Sequence, residues 1–557
     1  MTTLTELQKK LTQYKADAYL VTRNNMFLGQ DVLPQENKIT ELTGFTGSAG
    51  NLIVFRDKAV LLVDGRYDIQ ARQQTDADKI EVVCTRDSIG SWIQHNVKNN
   101  CKFMYDPWCH AISETDYWKR ALSRHEFIED KDHILGSRTI ALDAEIFELE
   151  EEFAGISSEE KISYLTRFCA ENKIDGYLLT ECDAVSWLMN LRSNLLKDTP
   201  VLRAFALVLA SGDVSLFMND FGKLETELNN WQSKNIGVAY NRCPQKLKTL
   251  MKDRHIWLTN LNNPVTEWKA CKNPVEIAGF KKAHIRDAVA VCRFLHWFET
   301  NRQSLDELQV VAKLREFREQ QQYFYADSFA TIAGYGANGA IIHYQPTAET
   351  NKKLQDGSVL LLDSGAQYFD ATTDITRTLP VGTVPDEIIN SYTEILKAHI
   401  AVAGAVFPPD TQGHNLDTLS RAALWQFGKD YEHGTGHGVG HFLCVHEGPQ
   451  SLSTKGSAPL KKDMVTSIEP GFYKEGCYGI RLENLALIVE TSEFAKPMLK
   501  FEPLTLVPFD RRLINQSLLT AKELEWLNNY HQKVFAEVSP FLDGETLQWL
   551  KKMTQKI

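Results

Sequence analysis

Carboxylates and imidazoles gather in four short stretches of the last third of this 557-residue sequence. In VLLLDSGAQYFDATTDITRT, Asp363 ends a continuous apolar run (Val359 to Leu362), and Asp374 follows eleven residues later in a Thr-rich strand pattern, so a hairpin would bring the two carboxylates together. In HGTGHGVGHFLCVHEGP, His433, His437 and His446 are separated by glycines, which break a regular helix and let the backbone approach a ligand closely. Glu469 ends a strand pattern just before a Pro-Gly turn in VTSIEPGFY, and Glu483 begins or interrupts the next apolar strand in GIRLENLALIV.

Carboxylates at the ends of buried strands are costly unless paired, hydrogen-bonded or bound to a cation. Four of them with one histidine point to a metal site. Oxygen-rich ligands with a single imidazole suit Mn²⁺, with Zn²⁺ or Co²⁺ less preferred. Two ions fit better than one, because four carboxylates would overcharge a single divalent centre; bridging carboxylates would hold them about 3.5 to 4 Å apart around a shared, activated water. No HExxH, GxSxG or Walker loop is present, and GYGANGA at 334 to 340 reads as a close-approach turn leading to His343. His441, in the same glycine-rich run, reads as a bystander.

The elements that must carry these residues follow from pattern. KADAYLVT at 15 to 22 and KIDGYLLT at 173 to 180 each follow a helical stretch (Leu7 to Lys15; Ile162 to Lys173), and each precedes a second pair of strands: NLIVF and AVLLVD, then AFALVLA and VSLFM. The echo predicts a duplicated α/β domain. The charged tract ELEEEF at 148 to 153 marks a connector, and Asn273-Pro274-Val275-Glu276 is a helix-start signature. A long helix should follow, with Ile277, Phe280, Ala288, Val291, Cys292 and Leu295 on its apolar face. Thr520 to Glu523 forms another capping box, opening a final helix with Leu524, Leu527, Val534 and Val538 on one side. The expected domains are 1-150, 151-265 and 266-557.

Composition narrows the partners. With 72 acidic and 61 basic residues the formal net charge is -11, and 24% charged with 43% hydrophobic residues is a soluble profile. Neither nucleic acid nor an anionic membrane is an expected partner. No apolar run spans a bilayer and the start lacks a secretory pattern, so a cytoplasmic location is expected. The ten cysteines show no CxxC pair and read as reduced core thiols.

The order Asp363, Asp374, His437, Glu469, Glu483 resembles the five-ligand set of the dinuclear-metal "pita-bread" peptidases, which include methionine aminopeptidase, prolidase and aminopeptidase P. NGAIIHYQP, LLDSGAQYFDATTDITRT, YEHGTGHGVGHFLCVHEGP and EPGFYKEGCYGIRLEN resemble the long, three-domain, cytosolic form of aminopeptidase P (Xaa-Pro aminopeptidase). GFTGSAGNLIVF and LLVDGRYDIQA resemble that family's first domain, so the likeness covers most of the chain. Ala371 departs from it, standing where the family usually has glycine, which matters only if a positive φ is needed there.

The resemblance implies two homologous, non-catalytic α/β domains of creatinase type before a pita-bread catalytic domain with a C-terminal helical extension. It implies that Asp363 binds one ion, Asp374 and Glu483 bridge both, and His437 and Glu469 complete the other. A hydroxide bridging the two ions would attack the carbonyl before proline in peptides with N-terminal Xaa-Pro. Glu469 would be general base and proton shuttle, and His343 and His446 would donate to the substrate carbonyl and stabilise the oxyanion. His433, Tyr473 and Arg481 would shape the proline pocket, Arg66 would contact substrate from the first domain, and a homodimer would form through the catalytic region. Prolidase, acting on Xaa-Pro dipeptides, is the alternative enzyme. A non-enzymatic pita-bread peptide- or protein-binding module, holding no metal, is the alternative of another class.

Overall fold

The computed structural model describes residues 3–29, 32–136, 144–218 and 221–557, and the chain divides into two compact units. One comprises Met1–Glu148, Ile156–Leu196 and Val201–Val265; the other comprises Leu149–Gly155, Lys197–Pro200 and Thr266–Ile557.

The first unit contains two sheets. One is built from β1 (Ala18–Thr22), β2 (Asn51–Phe55), β3 (Ala59–Val63), β4 (Ile80–Cys84), β5 (Lys102–Tyr105) and β6 (Glu126–Glu129), in the order β4-β3-β2-β1-β5-β6. The other uses β7 (Gly176–Leu179), β8 (Phe205–Leu209), β9 (Val214–Phe217), β10 (Asn235–Val238) and β11 (Trp257–Asn260), in the order β9-β8-β7-β10-β11. The repeat goes deeper than the sequence echo. In both sheets the echo strand pairs antiparallel with the next strand of its hairpin and parallel with the strand on its other side. The first sheet adds β4, parallel to β3, at its edge. Strands β1 to β3 are apolar and almost wholly buried, as strands covered on both faces must be.

Each echo strand follows a capped helix. Thr3 and Glu6 form a capping box, so the first helix is Leu4–Gln13 and not the later Leu7 to Lys15; Lys15, with φ 53, lies beyond its end. Ser157 caps Ser158–Asn172, which starts a turn earlier than its apolar periodicity predicts.

The second unit contains the helix Pro274–Asn301, capped by the box between Asn273 and Glu276. Its buried face holds Phe280, Ala288, Val291, Cys292 and Leu295 as expected, whereas Ile277 is only partly covered. That face also buries His284 and Asp287. Asp287 accepts from Arg318 Nε at 2.9 Å and from the Tyr368 hydroxyl at 3.0 Å, which makes a buried carboxylate tolerable on an apolar stripe. The charged tract is not a bare connector. Asn273 Nδ2 donates to Ala154 O at 2.8 Å, and the Phe153 ring packs on Tyr323. The helix Ala521–Val538 is capped by Thr520 and Glu523 and buries Leu527, Val534 and Val538 in the unit's largest core, with Leu524 partly covered; it is not the final helix, because Gly544–Met553 follows it.

Three antiparallel strands, β12 (Ile332–Tyr335), β13 (Ser358–Ser364) and β14 (Ile375–Val381), form one sheet with β13 central. Strands β15 (Gly436–Gly438), β16 (Glu447–Leu452), β17 (Val465–Ile468), β20 (Asn484–Thr491) and β21 (Met498–Pro503) join another, with the hairpin β18 (Gly471–Lys474) and β19 (Tyr478–Arg481) lying in sequence between β17 and β20. Among the described residues no helix is long and apolar enough to cross a membrane. None of the ten cysteines is in a disulfide. They are not uniformly core thiols, however: Cys169, Cys243 and Cys292 are buried, whereas Cys84 and Cys477 are exposed, because single cysteines at strand edges and turn tips need not face inward.

Candidate metal centre

Asp363 lies on β13, paired across the hairpin with Thr376. Asp374 immediately precedes β14 instead of lying within it. The turn between them is not tight, because Ala366–Tyr368 and Ala371–Thr372 form their own small ladder there. Ala371 is buried in that ladder and is absent from the positive-φ positions, so alanine replaces glycine without strain. His437 is the middle residue of β15, Glu469 follows β17, and Glu483 occupies the break between β19 and β20, its N–H donating to Thr376 O at 3.1 Å.

These strand ends converge. Ligand atoms of Asp374, His437 and Glu483 all lie within 4.8 Å of one another. His437 Nε2 stands 3.6 Å from Asp374 Oδ2 and 3.4 Å from Glu469 Oε1. His437 Nδ1 must donate to Gly438 O, 2.9 Å away, since a carbonyl only accepts; that tautomer leaves the Nε2 lone pair facing the carboxylates. Asp363 enters through Arg481, whose Nη2 donates to Oδ2 at 2.5 Å.

One oxygen of each buried carboxylate is satisfied or faces His437. Asp363 Oδ1, Asp374 Oδ1 and Glu483 Oε1 are buried with no hydrogen-bond donor. Burial, then repulsion from neighbouring carboxylates, holds Asp374 and Glu483 well above the usual carboxylate range. Burial pushes the His437 imidazole down. Hard-oxygen donors and one neutral imidazole, unprovided with protein donors, fit a divalent cation.

A second chain of contacts runs beside the cluster. His433 Nδ1 donates to Gly434 O at 2.7 Å, so its Nε2 accepts from the Tyr473 hydroxyl at 2.8 Å. Arg481 Nη1 donates to that same hydroxyl oxygen at 2.7 Å. Burial pushes Tyr473 up to about 12, keeping its proton available, while burial of Arg481 is outweighed by Tyr473, Asp363 and Glu469, which hold it well above its ordinary value. Arg481 also reaches Ile342 O at 3.4 Å, next to half-buried His343. His446 is exposed, its ring 4.4 Å from that of His437 and almost perpendicular to it. His441 is buried against Phe280. Arg66 belongs to the first unit, after β3, where Asp64 binds its Nε at 2.9 Å and its Nη2 at 2.7 Å.

The glycines do different work from that expected. A Cβ on Gly436 would lie 1.9 Å from Ser467 O, and one on Gly438 would lie 2.3 Å from Glu447 O, so they admit neighbouring backbone and not a ligand. In GYGANGA, likewise, Gly334 and Gly339 pack on each other, and a Cβ on Gly479 would fall 1.8 Å from Gly339 O.

Several supporting residues carry no sequence signal. Thr376 Oγ1 donates to Glu483 Oε2 at 2.8 Å, and Ser467 Oγ donates to Glu469 Oε1 at 3.2 Å. Arg421 binds Asp417, four residues away, a spacing that reads as a surface ion pair; both are in fact buried, and Arg421 Nη2 holds His433 O at 2.7 Å. Asp417 in turn accepts from Thr435, whose carbonyl accepts from the Glu469 N–H at 2.7 Å.

Residues 278–490 match the model of metallopeptidase family M24, and 497–557 match the C-terminal region of peptidase M24. Residues 4–140 and 138–276 each match a creatinase/prolidase N-terminal domain. A probable Xaa-Pro aminopeptidase P of Coprinopsis cinerea is 34% identical, covering 100% of this chain and 98% of its own. Xaa-Pro aminopeptidase 2 of Sus scrofa is 33% identical, covering 100% of this chain and 88% of its own. The X-prolyl aminopeptidase of Caenorhabditis elegans, described as a cytosolic enzyme with a di-nuclear active site, superposes with a TM-score of 0.91 at 29% identity, over 97% of this chain and 95% of its own.

Proposed function

This chain belongs to metallopeptidase family M24, and from that premise we propose that it is a metal-dependent aminopeptidase hydrolysing the bond between an N-terminal residue and a penultimate proline. The observation that carries the reading is the gathering of Asp374, His437 and Glu483 ligand atoms within 4.8 Å, with Asp374 Oδ1 and Glu483 Oε1 buried and without donors. Full-length similarity to Xaa-Pro aminopeptidases supports the substrate class.

Asp363, Asp374, His437, Glu469 and Glu483 would hold two divalent ions, with Mn²⁺ favoured over Zn²⁺ or Co²⁺ by the oxygen-rich donor set. Divalent ions held there supply Lewis acidity, which polarises a carbonyl and acidifies water. Glu469, oriented through Oε1 by Ser467, takes a proton from water and passes it to the departing proline nitrogen. His446 and His343 donate to the substrate carbonyl oxygen as charge develops on it. His433, Tyr473 and Arg481, linked in one hydrogen-bonded chain, wall the proline ring; a substrate contact by Arg66 rests on the family resemblance alone.

Domains 1-150 and 151-265 are non-catalytic, and 266-557 carries the chemistry. A cytoplasmic location agrees with the description of the worm enzyme. A homodimer through the catalytic region rests on the family resemblance, and sedimentation at varied concentration tests it.

The deciding assay compares Xaa-Pro-Yaa, Xaa-Ala-Yaa and Xaa-Pro. Release of the first residue from Xaa-Pro-Yaa alone is the expected result. Cleavage confined to the Xaa-Pro dipeptide would make the chain a prolidase, and no cleavage of any of the three would overturn the enzymatic reading.

A further inference from the structure

Behind the candidate centre lies a buried charge cluster that the proposed chemistry does not use. Glu447, the residue after His446, is fully buried, and its two carboxylate oxygens meet two lysines from one short segment. Lys269 Nζ lies 2.8 Å from Oε2, and Lys272 Nζ donates to Oε1. Lys272 Nζ also donates to Lys269 O at 2.5 Å, and the side chains of both lysines are almost wholly inaccessible. The segment is itself pinned: Lys272 N–H donates to Asp463 O at 2.9 Å, and Cys271 bridges to Met464 just before β17.

Burying two ammonium groups and a carboxylate is a poor way to gain stability, because desolvation of the ions offsets most of their attraction, and apolar side chains of similar size would pack there at least as well. What the arrangement does provide is position. A carboxylate ion-paired at both oxygens is held in one orientation, which restrains the Glu447 backbone. His446, the bend residue just before β16, is exposed where Glu447, the first residue of that strand, is drawn inward. Glu447 also stands opposite Gly438, beyond the register shift that follows His437, and the two imidazoles meet edge to face across that irregularity.

We propose that the Lys269–Glu447–Lys272 cluster is a positioning device that aims the His446 imidazole at the substrate carbonyl. The proposal rests on the catalytic role given to His446 above. Lys269→Met keeps one neutral lysine–glutamate pair and nearly the same volume, and it should lower kcat on an Xaa-Pro-Yaa tripeptide about 10- to 100-fold, with KM and metal content unchanged. Lys269→Arg, which keeps the charge, should recover most of the lost rate. In a His446→Ala background the same Lys269→Met change should have almost no further effect, because the group it positions is gone.

Losses that multiply in the double variant, or full kcat in Lys269→Met, would overturn the positioning role. Full activity in His446→Ala alone would instead remove His446 from the chemistry, a separate failure. Should Lys269→Met not fold, as judged by circular dichroism, Lys272→Met is read through the same cycle with the same two outcomes.

Discussion

Arg481 Nη2 donates to Asp363 Oδ2 at 2.5 Å, while Oδ1 of the same carboxylate is buried without a donor. One guanidinium thus orients a carboxylate, leaves its other oxygen for a cation, and through Nη1 fixes Tyr473 and hence His433. Arg481→Lys cannot keep this fork. It should weaken metal affinity or activity about 10- to 100-fold, read by competition with a coloured chelator and by steady-state kinetics. Unchanged affinity and rate together would show that the fork is dispensable.

Glu469→Gln removes the proposed proton carrier while keeping the size of the side chain and its contact with Ser467. The expected loss in kcat is about 10²- to 10⁴-fold, with the fold intact by circular dichroism. Full activity would assign the proton transfer to another group.

Gly436→Ala would place a Cβ 1.9 Å from Ser467 O, against backbone that cannot rotate away. A cost of about 1–3 kcal/mol in urea denaturation is expected, along with weaker metal binding, since His437 is the next residue. Wild-type stability in this variant would contradict the packing of β15 against β17.

His399 is fully buried, donates from Nδ1 to Ile468 O at 3.0 Å, and so braces the residue before Glu469. Burial first, then the Arg377 charge, pushes it down to about 3. An imidazole whose folded pKa is depressed takes up a proton more readily in the unfolded chain. Its stabilising contribution is therefore complete above about pH 6.5 and is lost as pH falls from there toward its folded value. His399→Gln should be less stable at neutral pH but flatter with pH, its slope below pH 6 reduced by about 1.4 kcal/mol per unit. His284, pushed down to about 4, and His531, to about 3, leave part of the slope in place. An unchanged slope would mean that His399 is not buried as a neutral ring.

The elements that carry the site were legible because their signals are local. The Asn273 and Thr520 capping boxes, the apolar run ending at Asp363 and each copy of the echo, at Lys15 and at Lys173, lie within a few consecutive residues. The candidate ligands stood out because carboxylates at strand ends are costly in a core. What the sequence hid is long-range: the Thr376 hydroxyl on Glu483, the Arg421 clamp on His433 O, and Lys269 and Lys272 on Glu447 join residues up to 178 positions apart. Lysines, threonines and an Asp–Arg pair at helical spacing look like solvated surface until tertiary packing buries them. The glycines were readable as close approaches, but only the fold shows that they approach neighbouring backbone.

The most direct test of the account is hydrolysis of an Xaa-Pro-Yaa tripeptide before and after metal removal. Chelator-stripped protein should release no N-terminal residue, and activity should return on adding Mn²⁺, saturating at two ions per chain. Full activity in protein verified as metal-free, or no activity with two ions bound, would contradict it.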